Sequence, residues 1–221
     1  MKKQYAVIGL GRFGSNLAKA LYEGDNEVIG IDIREDRVEE FQHDLSQAFI
    51  ADSTEEASIK DLGLRNFDVV IVAIGDDMEA SILTVVLLKE LGVPHIVAKA
   101  LSKRHGSVLS KIGADQVVFP ERDMGLRLAH KLMYPNIIDH LKLSDHYSIE
   151  EIKTPASFVG QTIKSMDIRA KYQLNIIAIR HSDEAVTVSP GPDYSLSAGD
   201  LLVVIGQNKK LKVLSKLWKD S

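Results

Sequence analysis

Apolar residues along the first 120 positions alternate between two rhythms. Short unbroken runs at Tyr5 to Ile8, Val28 to Asp32, Ala48 to Ala51, Val69 to Ile74, Ile96 to Ala98 and Val117 to Phe119 predict six strands. Between them apolar residues fall at helical spacing, as in Phe13, Leu17 and Leu21. Two of these helices carry start signals. Ser53-Thr54-Glu55-Glu56 precedes Ile59 and Leu62, and Asp76-Asp77-Met78-Glu79 precedes the run from Ile82 to Leu91, which Gly92-Val93-Pro94 stops. Val69 to Ile74 has no polar alternation, so it is expected to be buried on both faces. Strands and helices in strict alternation predict a doubly wound, parallel six-stranded α/β sheet of the Rossmann-like kind.

After Pro120 the pattern changes. Met124 to Met133 reads as a helix with Leu128, Leu132 and Met133 on one side, and Tyr134-Pro135-Asn136 as a break. Ile137, Ile138, Leu141 and Leu143 form a further apolar stretch, read here as the second member of a helix pair. Such a pair packs on a neighbouring subunit or the next domain, or folds onto its own sheet. From Asp145 the chain shows a strand at Ser148 to Ile152, a helix around Ile163 to Tyr172, and strands at Asn175 to Ile179, Ala185 to Ser189 and Leu201 to Ile205. A final helix runs from Asn208 to Trp218. This is a small α+β C-terminal domain of about 75 residues, a size that favours oligomerisation. The expected division is 1–122, a nucleotide-binding domain; 123–144, crossover helices for dimerisation; and 145–221, the C-terminal domain.

Composition narrows the function. With 45% hydrophobic and 26% charged residues the chain can bury an ordinary core, and with no cysteine it has no disulfide, thiolate zinc site or cysteine nucleophile. A net charge of −4 without a basic run or a helix-turn-helix unit argues against nucleic acid as a partner. Behind Met1-Lys2-Lys3 the apolar stretch is interrupted at once by Gly9, Gly11 and Arg12, so it reads as a strand and not a signal peptide. No window has the roughly 18 unbroken apolar residues of a membrane helix.

The candidate chemistry begins at Gly9-x-Gly11-x-x-Gly14, between the first strand and the first helix. Gly9 serves the tight turn, Gly11 the close approach of a phosphate, and Gly14 the packing of helix on strand. The N–H groups at the helix start then face an anion. Asp32, closing the second strand, is placed for ribose hydroxyls, or else caps the next helix. In such sheets ligands lie beyond the carboxyl ends of the strands. Those ends bring together Asp32, Ile33, Arg34, Asp52, Ser53, Ile74, Gly75, Asp76, Lys99, Ala100, Leu101, His105 and Glu121, with Phe13 from the glycine loop as a further candidate. Asp52, Ser53 and Glu121 read equally as helix caps, and Lys99 and His105 as ordinary strand-end and helix-start residues. Arg12, inside the loop, either adds positive charge at the phosphates or is simply exposed. Asp32 favours an adenine nucleotide or NAD over NADP.

Several stretches resemble the regulator-of-potassium-conductance (RCK) family. They are Tyr5-Ala-Val-Ile-Gly-Leu-Gly-Arg-Phe-Gly14, Ala51-Asp-Ser-Thr-Glu-Glu56, Val72-Ala-Ile-Gly75, Lys111-Ile-Gly-Ala-Asp115 and Pro120-Glu-Arg-Asp-Met-Gly125. Ile168 to Ile176 and Gly199 to Gly206 are similar to that family's C-terminal subdomain, so the likeness spans the chain. A single copy of each unit looks most like the cytosolic subunit of a Ktr potassium-uptake system. The resemblance implies a homodimer assembling into a homo-octameric ring, peripheral on the cytoplasmic face of the membrane through a potassium-translocating subunit (KtrB/KtrD-like). It further implies ATP and ADP as opposing ligands, NAD or NADH in the same pocket, Arg12 at the terminal phosphate, Asp32 on ribose, and Glu121 holding Mg2+ with ATP. For the C-terminal domain it implies cyclic di-AMP as an inhibitor at Ile163, Ile168, Arg169, Asn175 and Ile176. The competing reading is a small NAD-dependent oxidoreductase, although His146 and His181 are the tail's only candidate proton donors and neither lies in a recognisable catalytic pattern.

Overall fold

The computed structural model describes residues 2–134 and 137–216. Two compact units result, Met1–Asp123 and Met124–Ser221.

The first unit alternates as its sequence dictates: β1 (Gln4–Ile8), α1 (Arg12–Glu23), β2 (Glu27–Asp32), α2 (Glu35–Phe41), β3 (Gln47–Ile50), α3 (Glu56–Asp61), β4 (Val69–Val72), α4 (Met78–Glu90), β5 (Ile96–Lys99), α5 (Lys103–Ile112) and β6 (Gln116–Val118). All six strands are parallel, in the order β3-β2-β1-β4-β5-β6. The chain winds one way from β1 to β3 and the other from β4 to β6, so the order reverses between β1 and β4, where a crevice opens. Val70 and Val72 are fully buried and Ile71 nearly so, as an unalternating central strand requires. Each such side chain contributes roughly 1.5–3 kcal/mol of hydrophobic stabilisation. The predicted start of α4 is realised by Asp77, whose carboxylate accepts the Ala80 N–H at 2.9 Å.

α6 (Pro120–Met133) spans the boundary in sequence, and the expected helix pair does not form. Ile137 begins a strand, β7 (Ile137–Lys142), which pairs antiparallel with β8 (Tyr147–Lys153). Adjacent β-branched residues and the open edge of β8 favour extension. A bulge between Ile137 and Asp139 breaks the period of two that would have announced a strand. The expected break at Pro135 and Asn136 lies outside the described residues.

The remaining elements are α7 (Ile163–Met166), α8 (Ile168–Tyr172), β9 (Asn175–Arg180), β10 (Val186–Val188), β11 (Leu201–Gln207) and α9 (Asn208–Lys216). The helix expected across Ile163 to Tyr172 is two, because Asp167 between them adopts a left-handed conformation, φ 47°. Trp218, the expected end of the last helix, is outside the described residues. Five antiparallel strands in the order β10-β9-β11-β8-β7 form one sheet. β8 and β11 alternate buried and half-exposed positions, so one face turns Ile152, Leu202 and Val204 onto Leu174, Leu211 and Leu214.

Candidate functional site

The glycine loop is built as its spacing requires. Gly9 has φ +95°, and a side chain there would press on the backbone of Ala73 and Ile74 at 3.0–3.1 Å. A Cβ on Gly14 would collide with the Gly9 carbonyl oxygen and lie 3.0 Å from the Ala73 Cβ. A Cβ on Gly11 would meet nothing within 4 Å. Gly11 is also the N-cap of α1 and offers no side-chain cap, whereas α4, α5 and α7 are capped by Asp77, Ser102 and Thr162. With no acidic residue in its first turn, α1 presents uncompensated positive potential at the loop.

Two adjoining cavities lie over the carboxyl ends of the strands, about 590 and 490 Å³, sharing Gly11, Ala73, Gly75 and Asp76. The larger brings together Gly9, Gly11, Asp32, Ile33, Arg34, Asp52, Ser53, Ile74, Gly75 and Asp76. The smaller brings Arg12, Phe13, Lys99, Leu101 and Glu121 to the same loop. Three expected residues are not among the lining: Gly14 is packed beneath the loop, Ala100 is buried, and His105 is only 1% exposed, its Nδ1 accepting the Leu101 N–H at 3.4 Å. Burial pushes the His105 imidazole below its ordinary range. Conversely Arg37, Thr54, Asp77 and Ala80 line the larger cavity without having been singled out. Thr54 follows Asp52-Ser53 and Asp77 follows Asp76, so proximity to a strand end was the available signal; Arg37, inside α2, had none.

The polar groups are held in place by the fold. Asp32 accepts the Leu10 N–H at 2.7 Å through one oxygen and the Arg34 N–H at 3.0 Å through the other, which ties the end of β2 to the glycine loop. The Arg34 guanidinium pairs with Asp36 and is not committed to the cavity. Asp52 accepts from the Thr54 hydroxyl at 2.6 Å and the Thr54 N–H at 2.8 Å, and these bonds hold its carboxyl below the usual range. The Ser53 hydroxyl shares a buried 2.8 Å hydrogen bond with Thr84 and so anchors the turn. Lys99, 8% exposed, bonds Glu121 at 2.7 Å, and its ammonium lies 5.8 Å from the centre of the Phe13 ring. That hydrogen bond lowers the Glu121 carboxyl from its ordinary range.

The cavities thus combine a glycine turn, an uncapped helix start and a strand-end carboxylate. The TrkA-N domain model matches residues 5–120 and the TrkA-C domain model residues 148–218. Over 206 residues, 93% of both chains, the sequence is 52% identical to Ktr system potassium uptake protein C of Bacillus subtilis. It is 43% identical to Ktr system potassium uptake protein A of the same organism, over 95% of this chain and 94% of that one. The chain belongs to the Ktr group of RCK proteins.

It is therefore a regulatory subunit of potassium uptake and not an enzyme, which removes the oxidoreductase reading. The fold agrees: the crystal structure of the GsuK RCK domain aligns with 99% of this chain and 47% of that one, at 23% identity and a TM-score of 0.52. The GsuK channel bound to NAD aligns with the whole chain at 22% identity and a TM-score of 0.52. Among the described residues no helix of this Ktr protein is long and apolar enough to cross a membrane.

His181 shows what sequence spacing hides. Its Nδ1 lies 3.1 Å from Asp200 and its Nε2 2.8 Å from the Thr187 hydroxyl, so both ring nitrogens are engaged. Asp200 also accepts the Ser197 N–H at 2.8 Å, so the cluster ties the start of β11 to the β9–β10 hairpin.

The C-terminal positions are mixed. Ile168 is 3% exposed in the core, Ile163 and Ile176 are half-buried against that core, and Arg169 and Asn175 are exposed.

Proposed function

We propose that this subunit senses adenine nucleotides, ATP against ADP, and sets the activity of a membrane potassium-translocating partner to match. The observation that carries the reading is the uncapped start of α1 with Arg12 as its first residue, beside Asp32 and two adjoining cavities. Ribose hydroxyls would approach Asp32 in the larger cavity, and phosphates the loop between the two. Arg12 reaches a terminal phosphate by charge-assisted hydrogen bonding. NAD or NADH fits the same crevice, and Arg34, committed to Asp36, offers little to a 2′-phosphate.

For Mg2+, Glu121 supplies a single carboxylate whose Oε1 Lys99 already engages. The ion would take most of its ligands from phosphates and water, as Mg2+ usually does. In the C-terminal unit, exposed Arg169 and Asn175 beside half-buried Ile163 and Ile176 support an inhibitory cyclic di-AMP site at a subunit interface. Ile168, being core, would support that site from beneath. The subunit works as a homodimer within a homo-octameric ring, cytoplasmic and peripheral to the membrane through its partner.

Isothermal titration of the purified protein with ATP, ADP and NADH tests the central claim. Wild type should prefer ATP, and Arg12→Ala should reduce the ATP to ADP preference by at least about tenfold, or roughly 1.4 kcal/mol. An unchanged preference in Arg12→Ala would remove Arg12 from phosphate sensing.

A further inference from the structure

The second unit carries a side-chain cluster that nucleotide sensing does not use. His140 on β7 and Glu150 on β8 are cross-strand partners, and His130 reaches them from α6. Glu150 Oε1 lies 3.3 Å from His140 Nδ1 and 3.8 Å from His130 Nε2, and one ligand atom from each residue falls within 4.8 Å of the others. The two imidazole rings lie against each other, centroids 4.2 Å apart, and Tyr134 backs the His130 ring at 5.0 Å.

The position of Glu150 is costly for stability alone. It occupies a core-facing place in the alternation of β8, between buried Ser148 and Ile152, and is 3% exposed. Among the described residues its Oε2 has no hydrogen-bond partner. A buried carboxylate left short of partners is destabilising, and an apolar side chain would pack better here. Burial pushes the Glu150 carboxyl up to about 7, opposed by the charge of Lys212.

We propose that His130, His140 and Glu150 form a binding site for a divalent transition-metal ion of the zinc class. Two ligands each about 2.0–2.1 Å from a tetrahedral ion stand roughly 3.3 Å apart, which is the spacing of Glu150 and His140. Imidazole ligands select zinc, cobalt or nickel over magnesium or calcium. Three protein ligands leave a fourth position, and a cavity of about 250 Å³ lined by both histidines opens beside them. Arg127, Lys131, Arg180 and Glu151 also line that cavity, and Arg180 bonds Glu151 at 2.6 and 2.8 Å. Cationic walls favour hydroxide or another small anion as the fourth ligand.

The test is titration of the full, chelator-treated, nucleotide-free chain with Co2+, read by visible absorption, followed by displacement with Zn2+. One ion per chain with tetrahedral cobalt bands is expected, and Zn2+ should raise the thermal midpoint. Glu150→Gln, nearly isosteric, and His140→Ala should each weaken binding by at least about 100-fold, since even supporting residues outside the ligand set cost 10–100-fold. His95→Ala should bind as wild type. Absence of a cobalt spectrum in wild type, or binding that survives both Glu150→Gln and His140→Ala, overturns the site.

Discussion

Gly11 and Gly14 belong to one motif but answer to different demands, and substitution separates them. Gly14→Ala drives a methyl group into the Gly9 carbonyl oxygen, so thermal unfolding should show a loss on the order of 3 kcal/mol. Gly11→Ala points its methyl into open space at an extended backbone, so stability should stay within about 0.5 kcal/mol of wild type. Its nucleotide affinity should nevertheless fall at least about tenfold, because the methyl group stands where a phosphate would approach. A Gly11→Ala variant that binds ATP normally would contradict that placement. His105 makes a different demand. Its folded pKa lies below the unfolded value of about 6.5, so its contribution is present above that pH and is lost as pH falls through the folded value. Denaturation of wild type minus His105→Gln should show this as an acid-side slope of at most about 1.4 kcal/mol per pH unit. Residue by residue, the glycines and Asp32 were legible in the sequence because their spacing is itself the chemistry. His105 and Ala100 were not, because position near a strand end does not say which way a side chain points.

At the scale of elements, α6 is the anomaly. None of its 14 residues is fully buried, and Met124, Leu126, Leu128, Leu132 and Met133 are 53–71% exposed. Met124, Leu128 and Leu132 share one face of it, and a helix with no fully buried residue gains little from tertiary packing, the main source of helix stability, so we propose that a second copy of the chain covers that face. Leu128→Glu combined with Leu132→Glu should convert the proposed dimer to monomer in light scattering while circular dichroism stays unchanged. A dimer that persists would assign the contact to another surface. The six strands of the first sheet could be read from the sequence because burial on both faces leaves unbroken apolar runs. β7 could not, since its bulge moves successive apolar residues to different faces, Ile137 to the core and Leu141 to 60% exposure. The break between α7 and α8 was equally hidden, because a left-handed aspartate such as Asp167 looks like any helical aspartate until its φ is known.

For the whole molecule, the question is whether one arginine per subunit can set the state of an assembly. A ligand shifts a two-state equilibrium only by its difference in affinity for the two states. If Arg12 makes ATP favour one state over ADP by tenfold, each subunit contributes about 1.4 kcal/mol, and eight acting together about 11 kcal/mol. That exceeds the roughly 5.5 kcal/mol needed to carry a switch from 1:99 to 99:1, whereas a lone dimer would fall short of it. In the proposed octamer, assembly would therefore turn a modest local preference into a decisive one. Small-angle scattering should find one ring-sized particle whose profile differs between saturating ATP and ADP. Arg12→Ala should keep the particle and abolish the difference. A ring that changes shape equally in Arg12→Ala would move the switch to another group in the crevice, with Lys99 and its partner Glu121 the next to vary.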